Sequence, residues 1–373
     1  MANVIERGTM MPPVVTGEMF NLVRGKSSLA RLSGAAPIPF NGERVFTFNF
    51  DKEVDLVAES GAKSNGGGTI APVTITPVKV EYGMRVSDEF VYAAEETRLQ
   101  YLRAFSEGFA SKIARGIDIM AFHGVNPRSG LAADSLTGKY FDTVVTNVAS
   151  KGNNSGTAAI EAAITLVTGA EHDVTGLAMS NAMRNFLAAE KKGTASNEAL
   201  YPELAWGSQP SVINGLPTEI NSTVSYAAST VLGYVGNFRD FFRWGYSKQI
   251  PIEVIQYGNP DNDAEAGDLK GHNQVYLRGE AYVGWGIIAP AAFARIISPA
   301  VSLSATEVTI STETGTTLTA TTVPSGGTAT WKSSDTTKVT VAAGVLTGVA
   351  AGSAVVTATY QGAVAACEVT VTT

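Results

Sequence analysis

Gly284-Trp285-Gly286-Ile287-Ile288-Ala289 carries the glycine letters of a dinucleotide-binding turn, in which backbone N–H groups at a helix N-terminus hold a pyrophosphate. That chemistry also needs a βαβ unit and an acid at the end of its second strand. Here Pro290 follows and neither partner is present, so the segment reads as a strand whose glycines permit close packing. Asp261-Asn262-Asp263-Ala264-Glu265 begins like a calcium loop, but His272 stands where the closing carboxylate is due. It reads as a solvated loop joining two strands. Glu171-His172-Asp173 clusters three titratable groups in sequence only, because adjacent residues on a helix point apart; it reads as a polar helix end.

The three histidines, His123, His172 and His272, lie too far apart for ligand spacing and have a single cysteine, Cys367, to help them. No Gly-x-Ser-x-Gly elbow, phosphate loop or His-Glu-x-x-His pair occurs. The chain therefore offers no active site and calls for no cofactor and no metal. One cysteine also excludes an internal disulfide. With 27 Lys plus Arg against 34 Asp plus Glu, the net charge of −7 argues against a basic track for nucleic acid. No cationic leader with an apolar run and no membrane-length apolar stretch is present, so no membrane is expected.

The elements around these residues are of an unusual kind. The chain of 373 residues is 45% hydrophobic and 16% charged, enough for two cores, and its 38 Gly imply many turns. Residues 1–42, with Pro12-Pro13, Gly34, Pro37 and Pro39, read as an extended arm. Arg44, Phe46, Phe48 and Phe50 alternate with Val45, Thr47 and Asn49, and Val73 to Val86 is a second strand-like run; together they read as a long hairpin over 43–86 with a glycine-rich tip. Ser87-Asp88-Glu89 is a helix start, and His123-Gly124 a helix stop. Between them Ala94, Leu102, Phe105, Phe109, Ile113, Gly116 and Met120 recur at helical spacing, which makes a rod of about 50 Å.

Helices over Thr157–Ala170 and Asn181–Lys192 follow, with a buried strand at 176–180 between them and strands near 231–238, 250–257 and 274–289 beyond. The class is α+β. Segments are expected at 87–155 (long helix and peripheral part), 156–250 (axial part) and 251–299 (strands returning to the peripheral part).

From Ala300 the composition changes, with 20 Thr in the last 74 residues, alternating runs such as Val339-Thr340-Val341 and turn clusters at Pro324-Ser325-Gly326-Gly327. Residues 300–373 read as an all-β sandwich in which Ala365, Cys367, Val369 and Val371 share the buried face of the last strand. Val301-Ser302-Leu303, Thr328 to Asp335 and Gly344 to Ala354 resemble a bacterial Ig-like domain of group 2. The resemblance implies a core containing Cys367 and Trp331, the latter on a central strand between the sheets, with Gly344, Gly348 and Gly352 at turns.

The remaining elements resemble, in order, the major capsid protein of tailed bacteriophages, the Hong Kong 97 fold. Ala58-Glu59-Ser60-Gly61-Ala62 is similar to its E-loop hairpin, and Val86-Ser87-Asp88-Glu89-Phe90 to the start of its spine helix. Leu177 to Met183, Asn214 to Thr218 and Val235 to Phe241 are similar to its axial domain, and Val275 to Gly286 followed by Pro290 to Arg295 to its closing strands. The resemblance spans about residues 10 to 298. It implies a structural protein whose copies form pentamers and hexamers of an icosahedral head, assembled in the bacterial host cytoplasm around double-stranded DNA without sequence-specific binding. The partners implied are the chain itself, a portal and a separate scaffold protein.

On this reading Glu59 and Lys63 at the hairpin tip and Arg98 and Arg103 on the helix lie at contacts between copies, and the arm reaches a neighbour. Some members cross-link Lys to Asn; Lys63 is near the tip, but no Asn or catalytic Glu matches by motif. The Ig-like module would project outward, attaching to host-surface or mucus glycans or reinforcing the shell. The alternatives are an encapsulin-like compartment and a bacterial adhesin.

Overall fold

The computed structural model describes residues 26–92, 95–193, 195–248 and 252–373. They form two compact units, one from the described part of 1–144 with 237–290, the other from 145–236 with 291–373. Most of the expected arm, and Ala94 of the helix, lie outside the described residues.

The first unit is built on Gln274–Ile287, a 14-residue strand paired antiparallel with Val78–Ser87, Ile252–Ile255 and Phe242–Lys248. The helix Glu95–His123 has 29 residues, about 44 Å. The expected face is buried at Leu102, Phe105, Phe109, Ile113 and Met120, and beyond residue 112 burial spreads all round, taking in Ala114, Ile117, Ile119, Ala121 and Phe122. It ends as its residues dictate: Gly124 takes φ +67°, and His123 meets Asp142 at 2.7 Å. At its other end Ser87 Oγ accepts the N–H of Glu89, and a short helix Glu89–Tyr92 precedes the long one.

Gly279 is where helix and sheet meet. A Cβ there would lie 2.6 Å from the Phe109 ring, so only glycine lets the aromatic lie on the strand. Gly286 plays the same part against Ile75, whose side chain a Cβ would approach to 2.6 Å, which accounts for the glycines of the false dinucleotide motif.

The hairpin differs from the expected one. Glu43–Phe50 pairs with Gly68–Ile75, Glu43 opposite Ile75 and Phe50 opposite Gly68. The strand-like run over 73–86 is two strands, broken at Thr76-Pro77, and its second half leaves the hairpin to pair with Gln274–Ile287. Proline has no N–H to continue a ladder, so the chain changes sheets there.

Residues 26–38 also depart from a free arm. Ser27 caps the helix Ser28–Leu32, and the carboxylate of Asp118, wholly buried on the long helix, accepts Ser27 Oγ at 2.5 Å, Ser28 N at 2.9 Å and Leu29 N at 3.3 Å. Ala36 N and Ile38 N then donate to the carbonyls of Trp244 and Tyr246. Gly245 is obligatory, because a Cβ would lie 1.7 Å from the Ala36 carbonyl oxygen.

The second unit holds a six-stranded sheet in which Phe293–Ile297 lies between Val148–Ser150 and Val231–Gly236, followed by Gly176–Met179, Leu216–Ile220 and Val212–Ile213. The strand 293–297, expected to group with the other strands of 251–299, thus joins the six-stranded sheet of the second unit, whereas Phe242–Lys248, expected with 156–250, joins the first unit. Helices Gly156–Thr168 and Asn181–Ala189, capped by Ser155 and Ser180, lay Ala159, Ala163, Val167, Met183 and Leu187 on the sheet core.

Residues 300–372 form a two-stranded, a three-stranded and a four-stranded sheet. In the four-stranded one Glu307–Ser311 runs parallel to the last strand, Ala363–Thr372. Cys367, Val369 and Val371 are buried with Ile310, Leu318, Val339 and Leu346, while Glu368, Thr370 and Thr372 face out, as period two requires. Trp331 departs from its expected position. Its strand Thr330–Ser333 is the edge of the four-stranded sheet rather than a central one, yet the half-buried side chain packs against the tail core, with its ring against Gly344. Gly344 and Gly352 take positive φ, +87° and +139°, whereas Gly348 is needed because a Cβ would lie 2.7 Å from the Ser311 carbonyl oxygen.

Candidate functional site

The residues with chemical potential are each absorbed locally. His123 is the ion-pair partner of Asp142, and His272 Nδ1 lies 2.9 Å from the Asp268 carbonyl oxygen within its own turn. Among the described residues no group of His, Cys, Asp and Glu could hold a metal ion, and no helix is long and apolar enough to cross a membrane. The buried Cys367 thiol is pushed up by desolvation and, less, by Glu307, which leaves it poor in thiolate.

The loop containing Asp261 is organised by a residue that sequence reasoning missed. Arg85, on strand Val78–Ser87, donates from Nε and Nη2 to the Asp261 carboxylate at 2.8 and 2.6 Å. Its remaining N–H groups reach Asn259 Oδ1, Gln274 Oε1 and the carbonyls of Ala266 and Gly267. The hydrogen bonds from Arg85 hold the Asp261 carboxyl down at about 2. An arginine here does what a calcium ion does in a calcium loop, gathering oxygens from a mobile type of sequence. No local pattern singles it out, since its strand also carries Lys79 and Glu81.

What the molecule exposes is apolar and lies on extensions. On the hairpin Phe46, Phe48 and Phe50 share one face of their strand, all exposed, with Ile70 opposite Phe48. Val54 and Leu56 in the tip are 98% exposed. Burying one such side chain is worth about 1.5–3 kcal/mol, so the subunit alone leaves several such gains unmade. The tip is tied by Asp51 Oδ1 accepting Gly67 N, by Asp51 N donating to the Gly67 carbonyl and by Lys52 Nζ on the Asn65 carbonyl, and Gly61 N closes a turn on the Ala58 carbonyl. Glu59 and Lys63 lie in it, both exposed.

On the long helix Arg103 is exposed and Arg98 half-buried, with an Nε that has no hydrogen-bond partner; Leu99 and Tyr101 beside them are exposed. The four charged residues thus fall on two elements, the hairpin tip and the outer part of the helix. In the second unit Trp206 stands fully exposed at φ +54° in the loop after Pro202, a residue that no pattern in the sequence singled out.

Among the described residues, exposed apolar side chains thus gather on the hairpin and the outer part of the long helix. The model of the phage capsid family matches residues 7–297. The chain belongs to the phage capsid family. A solved structure from Mycobacterium phage Ogopogo is 31% identical to this capsid protein over 73% of this chain and 92% of that one, with a TM-score of 0.62. Another, from Gordonia phage Cozz, is 20% identical over 73% of this chain and 86% of that one, with a TM-score of 0.60. A third, described as the capsid of an empty GTA particle computed with C5 symmetry, is 16% identical over 73% and 90%, with a TM-score of 0.53. The last two show the fold alone. No curated protein matches. The capsid protein is structural and non-enzymatic, a major capsid protein of the icosahedral shell of a phage virion, and it assembles with copies of itself. Residues 298–373 lie beyond the family match.

Proposed function

We propose that copies of this capsid protein associate as pentamers and hexamers and close around double-stranded DNA, with a portal at one vertex and a separate scaffold protein during assembly. The observation that carries this is the hairpin: Phe46, Phe48, Phe50, Val54 and Leu56 are solvent-exposed in the single chain. A second copy is the surface that would cover them. Glu59 and Lys63 at the tip and Arg98 and Arg103 on the helix then flank the apolar contacts, where charges set register and orientation more than affinity. The net charge of −7 suits a shell that encloses DNA without gripping it.

Residues 300–373 serve on this proposal as an Ig-like group 2 module on the outer surface. Their buried alternation through Cys367, Val369 and Val371 supports a sandwich, and their position beyond the family match supports an appended one. Displayed in many copies, such a module holds host-surface or mucus glycans through many weak contacts, or reinforces the shell.

Electron microscopy of particles formed by the full-length chain tests both parts. Closed shells containing nuclease-protected DNA, with surface knobs that vanish when residues 300–373 are removed, are the expected result. Shells that enclose a cargo protein and no DNA would replace the phage-head reading with an encapsulin-like one. Failure of the shortened chain to close would overturn the outward-appendage reading.

A further inference from the structure

The tail touches its own subunit at a place that neither the family match nor the sandwich pattern requires. Strand Phe293–Ile297 lies in the six-stranded sheet, paired with Val148–Ser150, and only Ser298 and Pro299 separate it from the first tail strand, Ala300–Leu303. Even that link is held, since Ser298 N donates to the Thr230 carbonyl at 2.7 Å. A second attachment lies at the far end of the tail. There the last two strands are joined by the turn Tyr360-Gln361-Gly362-Ala363, in which Gln361 has φ +47° and Gly362 φ +91°.

The Gln361 Oε1 accepts the hydroxyl of Ser150, and the Gln361 Nε2 donates to the Tyr360 hydroxyl at 3.1 Å, which fixes the amide. A Cβ on Gly152 would lie 3.5 Å from the Gln361 Cβ, and a Cβ on Gly362 would lie 2.2 Å from Asn153 Oδ1. The two turns are therefore in direct contact, backbone against side chain. The receiving loop is itself stiff: Lys151 N donates to the Ile297 carbonyl, Asn154 N to the Lys151 carbonyl, and the Lys151 ammonium sits 4.3 Å from the Phe186 ring centroid.

We infer that loop 150–154 is a docking surface for turn 360–362 of the same chain, so that the tail is latched at two points and held in one orientation. A tether of two residues alone would let the tail pivot about Pro299. With the turn seated, pivoting must break the Ser150–Gln361 bond and open the fitted contact, and the ring of chain from residue 297 through 361 back to 150 closes on a single sheet. The latch operates whichever way the tail faces and whatever it binds. Its consequence is that all copies on a shell present the same tail face at fixed angles, which favours a regular multivalent surface over independent searching by each module.

The Gly152 to Gln361 spacing falls in the Cβ–Cβ range of a disulfide, about 3.5–4.5 Å. The full-length Gly152→Cys/Gln361→Cys variant, mildly oxidised, should lose both engineered thiols and run faster on a non-reducing gel. Either single variant should keep its thiol, and Cys367 is buried and silent. A folded double variant that retains both thiols overturns the latch.

Because Gly152 has φ +46°, a measurement on the unaltered chain is paired with it. In an averaged electron-microscopy map of wild-type shells the tail should be as well ordered as residues 145–236, and in Gln361→Gly, which relieves the backbone while removing the amide, its density should fade. A wild-type tail blurred beside a sharp 145–236, or one equally sharp in both proteins, also overturns the latch. If no shells form at all, the head reading fails, and the thiol experiment on the unassembled chain still decides the latch.

Discussion

Residues 26–38 and the hairpin of 43–75 are neighbours in sequence and both read as extensions, yet they differ in where their interactions are made. The first segment is closed within the subunit. Its helix N-terminus ends on a buried carboxylate, its backbone N–H groups find the carbonyls of Trp244 and Tyr246, and Leu29, Ala30 and Ile38 are buried. The hairpin satisfies its backbone between its two strands and leaves its phenylalanines in water. An unmade hydrogen bond in a buried place costs the subunit at once, whereas an exposed phenylalanine is a gain that waits for another copy. The first region therefore governs folding, and on the proposed function the second governs assembly.

The sharpest way to break that distinction is at the first region. Asp118→Ala leaves Ser27 Oγ and the N–H groups of Ser28 and Leu29 buried without an acceptor. At about 1–3 kcal/mol for each orphaned group the loss is severe, and thermal unfolding of the unassembled chain should show it, with Asp118→Asn retaining part of the stability. An unfolding temperature within error of wild type for Asp118→Ala would place the segment outside the folding unit.

Next in size is Phe48→Ser. It should leave the unfolding of the single chain within about 0.5 kcal/mol, as surface substitutions do. The yield of closed particles counted by electron microscopy should fall strongly. A variant that assembles normally would remove the hairpin from the contacts.

Cys367→Ser places a hydroxyl in the apolar tail core, and about 1–2 kcal/mol of tail stability should be lost, read as earlier unfolding of residues 300–373 by hydrogen exchange. In the wild type, alkylation of this thiol should track that unfolding rather than bulk pH near neutrality.

The smallest effect concerns the Arg85 clamp. Asp261 titrates at about 2 in the folded chain against 3.8 for the free group. A carboxyl depressed on folding stabilises above its unfolded pKa, and that contribution disappears as pH falls from about 4 to about 2. Amide exchange in residues 258–267 should therefore rise over that window. In Arg85→Ala it should be fast already at neutral pH.

Periodicity made much of this architecture legible. Period two picked out Phe46, Phe48 and Phe50, and Cys367, Val369 and Val371, as shared faces, and the His123-Gly124 stop marked the end of the long helix to the residue, whereas its start lies at Glu95, beyond a separate short helix that begins at the expected cap. The buried face read for Cys367, Val369 and Val371 is buried, whereas the phenylalanine face of the hairpin is turned to water, a difference that period two alone does not encode. The hairpin's second strand was misread because 73–86 is one strand-like run, and Pro77 marks a break without naming the new partner. The candidate site was legible as a set of extensions, but Trp206 and Arg85 had no local pattern to announce them.

What the residues determined by themselves was local: which segments are strand or helix, where they stop and which faces are apolar. Only the tertiary structure decided the pairings between distant segments. Arg85 meets a loop 174 to 189 residues away, Asp118 meets Ser27 across 91, and Gln361 meets Ser150 across 211. The reason is physical. Dihedral preference and side-chain period act over a few residues, whereas the partner of a buried donor or carboxylate is whichever group the packed chain brings within about 3 Å.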